Sequence, residues 1–289
     1  MTKRDRKSDD IESRMILVEG VLRELHLGEC REDLLQKIDG HYRGKSALAG
    51  ASAGAGDLFG QAANAAMLAM CDGEAAQNFA CLIEGQVVCG QFAGAQLLKE
   101  GNCVRIAAER NGDAIVARGI LDEKQGLVWV EHPWGGAAEM LANWKIALWC
   151  FGLAYVPLTL LSWFQGAGSW SFWEFQLFIV AALVLLCGGL ALWANKGMRT
   201  LSARSTEVFR LLGFSSPERV NLNKYQVSLV ESRKRMKLIS ANRKELREGT
   251  FTLPPKVPIL NVSSEQLRNT HDYKQAIEDG KLSMASVGS

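Results

Sequence analysis

The chain has 289 residues, 48% of them hydrophobic, with 33 Lys and Arg against 31 Asp and Glu for a formal charge of +2. Its seven cysteines (Cys30, Cys71, Cys81, Cys89, Cys103, Cys150, Cys187) show no Cys-x-x-Cys spacing, which excludes a disulfide scaffold and reads as reduced or lipid-buried thiols. The four histidines (His26, His41, His132, His271) stand far apart without a second His or Cys at metal-ligand spacing, so neither a metal nor another cofactor is expected.

Residues 1–10 carry basic side chains with no apolar stretch behind them, unlike a cleavable signal peptide. Over residues 9–37, Ile11, Met15, Val18, Leu22 and Leu25 recur at three or four positions and predict a helix that ends near Gly40. Residues 46–70 are dominated by Ala and Gly, with Asp57 the only charge. Gly50 with Gly54 and Gly56 with Gly60 have the Gly-x-x-x-Gly spacing that lets helices approach closely. A Gly-rich loop followed by a helix from about Asp57 fits equally. Packing or oligomerisation is favoured here over a third membrane segment. Residues 1–75 therefore read as a helical and Ala/Gly-rich cytoplasmic segment.

The period changes near Asn78. Residues 79–83, 86–92, 103–108, 114–121 and 127–131 are short runs rich in Val, Ile or aromatics, separated by turn signals such as Glu84-Gly85 and Asn111-Gly112-Asp113. Asn-Gly between two such runs signals a hairpin, because both residues tolerate positive φ. Five strands within residues 76–133 predict a small curled sheet or barrel of the SH3-like or OB type. The exposed aromatic and basic strand faces that nucleic acid would need are missing, and no nucleic-acid partner is expected.

Residues 146–164 and 175–194 contain no charge and are joined by the short segment 165–174. At about 1.5 Å per residue each reaches about 28–30 Å as a helix, the thickness of a bilayer core. They predict a transmembrane hairpin over residues 144–195. Tryptophans gather near its ends, where amphipathic rings sit at headgroup level. Trp144, Lys145, Trp163, Trp170, Trp173, Trp193, Lys196 and Arg199 are the candidate membrane-interface residues. Gly188 and Gly189 form a small patch that, with Gly50, Gly54, Gly56 and Gly60, is the candidate oligomerisation surface of a homo-oligomer. Lys145 precedes the first span and Lys196, Arg199 and Arg204 follow the second, while the connecting loop has no Lys or Arg. Both termini are therefore expected in the cytoplasm.

Residues 196–289 carry 17 Lys and Arg against 9 Asp and Glu, a net +8 that leaves −6 for the rest of the chain. Helical spacing through Leu201, Val208, Leu211 and Leu212 stops at Gly213, and a second, charged helix is expected over about residues 224–248. Pro254, Pro255 and Pro258 demand extended chain, and the small polar end 279–289 reads as disordered. Arg233, Lys234, Arg235 and Lys237 are candidates for lipid headgroups or an acidic partner, at about 1 kcal/mol per charge near a membrane surface.

No nucleophile elbow, zinc-protease, Walker A or dinucleotide motif is present, which points away from an enzyme. Glu131, His132 and Trp134 read as a junction between sheet and membrane. The spans contain no Asp, Glu, Lys, Arg or His, so the usual marks of an ion pathway are missing.

The order of parts carries a resemblance. A small-residue segment is followed by a β unit with Lys99-Glu100-Gly101, by His132-Pro133 leading to Asn143-Trp144-Lys145, and after the hairpin by Phe209-Arg210-Leu211-Leu212-Gly213-Phe214 and Pro217-Glu218-Arg219-Val220-Asn221-Leu222. Over residues 46–222 this resembles a family of two-span inner-membrane proteins of Gram-negative bacteria labelled type VI secretion system effectors. The resemblance implies an inner-membrane location, an α+β membrane protein and a partner that is a secreted toxin or delivery protein. Two functions compete under it: a membrane-anchored immunity or accessory factor, and an effector whose hairpin inserts into a target membrane as a pore.

Overall fold

A computed structural model describes residues 15–29, 32–38, 76–111, 114–165, 171–243 and 265–285. Its first elements are strands, β1 (Met15–Val21) and β2 (Arg23–Gly28), where the spacing predicts a helix. The apolar period is two on either side of a defect. Ile16, Val18 and Leu22 line the main core, and so do Leu25 and Leu27, so the parity switches once between them. The switch falls at Glu24, whose φ is 48°, and the register with the neighbouring strand shifts between Arg23 and His26. That one irregularity sets Val18, Leu22 and Leu25 at the intervals of a helix. Among the described residues of this segment, helix is met at residues 32–38 (α1), where Leu34 and Ile38 pack on Ala80, Cys89 and Val116.

Strands β3 (Gln77–Ile83), β4 (Gln86–Phe92), β5 (Cys103–Asn111), β6 (Ala114–Asp122) and β7 (Leu127–Val130) occupy the five segments where strands are expected. Glu84 and Gly85 both take positive φ, 47° and 78°, which closes the β3–β4 hairpin as the dipeptide suggests. The sheet is mixed and larger than residues 76–133, since β1 and β2 join it from before and β8 (Thr270–Asp272) from the tail. Its path runs β1-β5-β6-β4-β3-β2, with β4 and β6 parallel and β7 bridging β6 to β8. Only Leu22 separates β1 from β2, so the path returns to the segment where it began. Phe79, Phe92, Ile106, Ile120 and Trp129 are fully buried in the enclosed core, where the Trp129 indole N–H donates to Gly94 O at 3.0 Å.

Two long helices follow, α2 (Gly136–Gln165) and α3 (Phe172–Leu211). Both are long and apolar enough to cross a membrane, and together with the mixed sheet they give an α+β protein. In a soluble core such helices would be mostly covered; here the most apolar windows are 6% and 22% buried. Ser171 caps α3 through a capping box with Glu174. Ile179, Leu183, Cys187 and Ala191, four residues apart, form the buried stripe of α3. Beyond that stripe α3 continues without a break, and Val208, Phe209 and Leu212 enter a second core with Ala107, Leu121, Val128 and Val130 on the outer side of the sheet.

The tail folds back on this second core. Helix α4 (Val227–Ala241) lies within the expected charged helix, and α5 (Tyr273–Glu278) follows β8. Where the end of the chain reads as disordered, residues 279–285 are ordered: Met284 bridges Phe214, and Ala285 N–H donates to Gly213 O at 2.8 Å. The anchor is apolar, since Leu282 and Met284 pack on the core that holds Phe214 and Tyr273. Gly50, Gly54, Gly56, Gly60, Trp170 and the proline-rich stretch 254–258 lie outside the described residues.

Contact between α3 and the sheet requires a glycine. A Cβ on Gly119 would stand 2.5 Å from Val208 Cγ1 and 3.3 Å from Leu212 Cδ1. Gly119→Ala is expected to push α3 off β6 and destabilise the fold by about 1–3 kcal/mol. Thermal unfolding of the detergent-solubilised protein checks this, with an unchanged midpoint counting against the close approach.

Candidate functional site at the junction of sheet and hairpin

The chain leaves the sheet and enters α2 through residues 132–135, and leaves α3 toward the tail through residues 214–222. These two segments are tied together. Gly135 N–H donates to Val220 O at 2.8 Å, Leu222 N–H to Pro133 O at 2.9 Å, and Trp134 bridges Asn221. A Cβ on Gly135 would collide with the Pro217 carbonyl oxygen, so the two backbones meet where a side chain has no room. Gly136 N–H, at the start of α2, donates to Thr206 Oγ1 on α3 at 3.0 Å. About two turns further along α2, Asn143 Nδ2 donates to Asn195 Oδ1 at 2.8 Å.

Beside this neck lies a charged network that joins β5, β6 and α3. Arg118 Nε is 2.9 Å from Glu109 Oε2 and its Nη1 is 3.1 Å from Glu131 Oε1. Arg204 of α3 reaches the same Glu109 carboxylate at 3.3 Å. Burial works against the Arg118 charge, but Glu131 and Glu109 outweigh it and hold its pKa above the ordinary value. His132 Nε2 stands 3.3 Å from Glu139 Oε2, within ion-pair reach when protonated but misaligned for a hydrogen bond. Glu131, His132 and Trp134 lie where the sheet passes into the first long helix. Glu109, Arg118 and Arg204 complete this junction and carry no local sequence signal, since their partners are nine and 95 positions apart.

Two hollows adjoin the neck. One of about 190 Å³ is lined by Arg118, Glu131, His132 and Arg204 among others. A larger one of about 710 Å³ opens between the first turns of α2 and the stretch of α3 from Asn195 to Arg210, with Lys196 and Arg199 on its wall. Trp144, Lys145, Trp193, Lys196 and Arg199 gather at this end of the apolar zone, and Trp163 and Trp173 at the other; all are exposed. Gly188 and Gly189 face open space, with nothing near an added Cβ. The basic cluster on α4 is split: Lys234 pairs with Glu231 at 3.3 Å and approaches Asp272, Arg235 is half-buried, and Arg233 and Lys237 are exposed.

Elsewhere the buried titratable groups are structural. Burial pushes the Cys81 thiol up, and that of Cys89 to about 12, which keeps both inert. His271 on β8 is pushed down to about 4 by burial, which contact with the Leu222 backbone only partly offsets. Among the described residues no group of three or more His, Cys, Asp or Glu is placed to hold a metal ion.

No protein-family model, curated protein or solved structure matches this chain.

Two outcomes test the junction and its clasp. Glu109→Gln leaves Arg118 and Arg204 short of a carboxylate at a mostly buried site and is expected to cost about 2 kcal/mol, against less than about 1 for half-exposed Arg204→Gln. Equal effects in denaturation would contradict the ranking. His271 keeps its proton off in the fold, so the stability present above about pH 6.5 is lost as pH falls through about 4, on the order of 3 kcal/mol in full. Comparing the wild type with His271→Gln between pH 7 and pH 5 isolates this contribution. The stability loss on acidification should be smaller in the variant.

Proposed function

We propose that this chain is a non-enzymatic, membrane-anchored interaction protein whose hairpin crosses the bacterial inner membrane twice and presents the sheet and tail on the cytoplasmic side. The observation that carries the reading is the continuity of α3, which passes unbroken from an exposed apolar zone into the buried core of the sheet. Such a helix does not merely tether a domain; it fixes the domain's attitude to the membrane. The absence of Lys and Arg from the connecting loop and the flanking Lys145, Lys196, Arg199 and Arg204 support an orientation with both termini inside.

For the sheet, the strand order favours an OB-like over an SH3-like barrel. With β1 and β2 counted as one bent first strand, neighbours run first, fourth, fifth, third, second and back to first, and the third and fifth are parallel. The outer side of β3 and β4, where such barrels take up nucleic acid, is here covered by Leu34 and Ile38 of α1. That supports a protein partner over a nucleic acid. The link to type VI secretion, as an immunity or accessory factor for a toxin, rests on the resemblance of residues 46–222 alone. Open space at Gly188 and Gly189 leaves room for a second copy in the bilayer.

Topology and role are tested together. Alkaline phosphatase joined after Ser289 should be inactive and an insertion near Gly168 active; the reverse pattern sinks the orientation. Co-expression with the product of a neighbouring toxin gene should protect cells, and deletion of residues 76–133 should abolish protection. Toxicity of the chain alone when directed to the periplasm, with permeabilised membranes, would favour the pore-forming effector instead.

A further inference from the structure

The larger hollow at the neck holds two cations with no ion-pair partner among the described residues. Among the described residues, Lys196 and Arg199 make no ion pair or side-chain hydrogen bond, although Arg204 and Arg210 on the same helix are held by Glu109 and Glu207. We propose that this cleft binds the phosphate of an anionic phospholipid headgroup, with Lys196 and Arg199 as its cationic ligands. The inference rests on the reading that the hairpin spans a membrane, and it adds a defined lipid site to it.

Position is the first argument. Lys196 follows the last apolar residue, Ala194, by two positions, and the Trp193 ring beside it is 76% exposed. In a bilayer that is headgroup depth. On the cytoplasmic side the leaflet is rich in anionic lipid, and each Lys or Arg near its surface is drawn to it.

Shape and lining are the second. The cleft is about 710 Å³, walled on one side by Gly136, Ala137 and Met140 and on the other by α3. Met140, Met198 and Ala203 offer apolar surface for the glycerol and upper acyl chain, next to the cations. Thr206 is occupied, accepting from Gly136 N–H and donating to Ser202 O at 2.8 Å, which leaves the two cations as the groups in want of an anion.

Three carboxylates line the cleft and decide where the phosphate sits. Glu207 is bound by Arg210 at 2.9 Å and Glu139 is drawn toward His132 at 3.3 Å. Glu207 lies toward the end of the cleft away from Asn195 along α3, and Glu218 lies at that same end, its backbone against Gly135. Repulsion from that end places the anion at the Lys196 and Arg199 end, the end nearest the apolar zone. A free phosphate has the same headgroup chemistry but no use for the methionine-lined surface.

The test uses the full chain purified in non-ionic detergent and titrated, in separate arms, with phosphatidylglycerol, phosphatidylcholine and inorganic phosphate, with bound lipid read by native mass spectrometry. Phosphatidylglycerol should be retained about tenfold better than phosphatidylcholine and should not be displaced by inorganic phosphate. Lys196→Gln with Arg199→Gln should erase that preference without moving the unfolding midpoint, while Arg233→Gln with Lys237→Gln on α4 should keep it. Equal retention of the two lipids, a preference that survives the first pair of substitutions, or displacement by inorganic phosphate would each overturn the assignment. Carbonate washing of native membranes separates this from the underlying reading. A chain released by carbonate has no spanning hairpin, whereas a chain that stays in the pellet but shows no lipid preference has lost only the cleft.

Discussion

Val208, Phe209 and Leu212 belong at once to the end of the longest helix and to the core on the outer side of the sheet. A 40-residue helix is about 60 Å long, of which about half is apolar enough for a bilayer core. The other half is therefore a lever built into the domain. Moving the sheet relative to the hairpin would require α3 to bend, and no proline or described break lies between Asn195 and Leu211 to allow it. Gly119 exists to let that lever come within contact of β6, and Gly135 lets the two neck segments cross.

The polar features around the neck follow from that rigidity. A helix leaving an exposed apolar zone to join a sheet passes a boundary where charged groups need partners. Glu109 answers with two arginines from different elements, Arg118 beside it in the sheet and Arg204 on α3, so one carboxylate locks the helix to the strands. A mostly buried carboxylate with two guanidinium partners is stable where an isolated ion pair would gain little. Asn143 and Asn195 do the same without charge one step closer to the apolar zone, where an ion pair would be costlier to desolvate.

Different parts of this arrangement were legible to different degrees. The two long helices were plain because each holds a long uncharged apolar run, and β3 to β7 were plain because Glu84-Gly85 and the other turn signals punctuate a period of two. The first strands were misread because the irregularity at Glu24 converts that period into intervals of three and four. The end of the tail was misread because its anchors, Leu282 and Met284, are isolated apolar residues in a polar stretch, and only the fold brings Phe214 and Tyr273 to them. The junction was half visible: Glu131, His132 and Trp134 adjoin the first span, but Glu109, Arg118 and Arg204 are assembled by topology. Nothing in the spacing of residues so far apart could have grouped them.

The far end of the hairpin bears on which of the competing functions suits the molecule. Thr159, Ser162 and Gln176 are the polar side chains that meet there between the helices, and they satisfy one another: Gln176 Nε2 donates to Ser162 Oγ at 2.7 Å, Thr159 Oγ1 to Gln176 Oε1 at 3.2 Å, and Ser162 Oγ to Thr159 O at 2.8 Å. Gln176 is buried, so its amide is turned toward α2 and away from the exposed side of the helix pair. A pore would need such groups on a water-lined face, and exposing them would break this contact at an energy of about 0.6 kcal/mol per bond in a bilayer. That cost alone is small. The larger obstacle is that opening the pair would also separate the Ile179, Leu183, Cys187 and Ala191 stripe from α2 and pull on a lever whose other end is buried in the sheet. A helix pair held at both ends, by its own polar contact and by a folded domain, supports the proposal of a protein that holds a surface in place over one that rearranges into a channel.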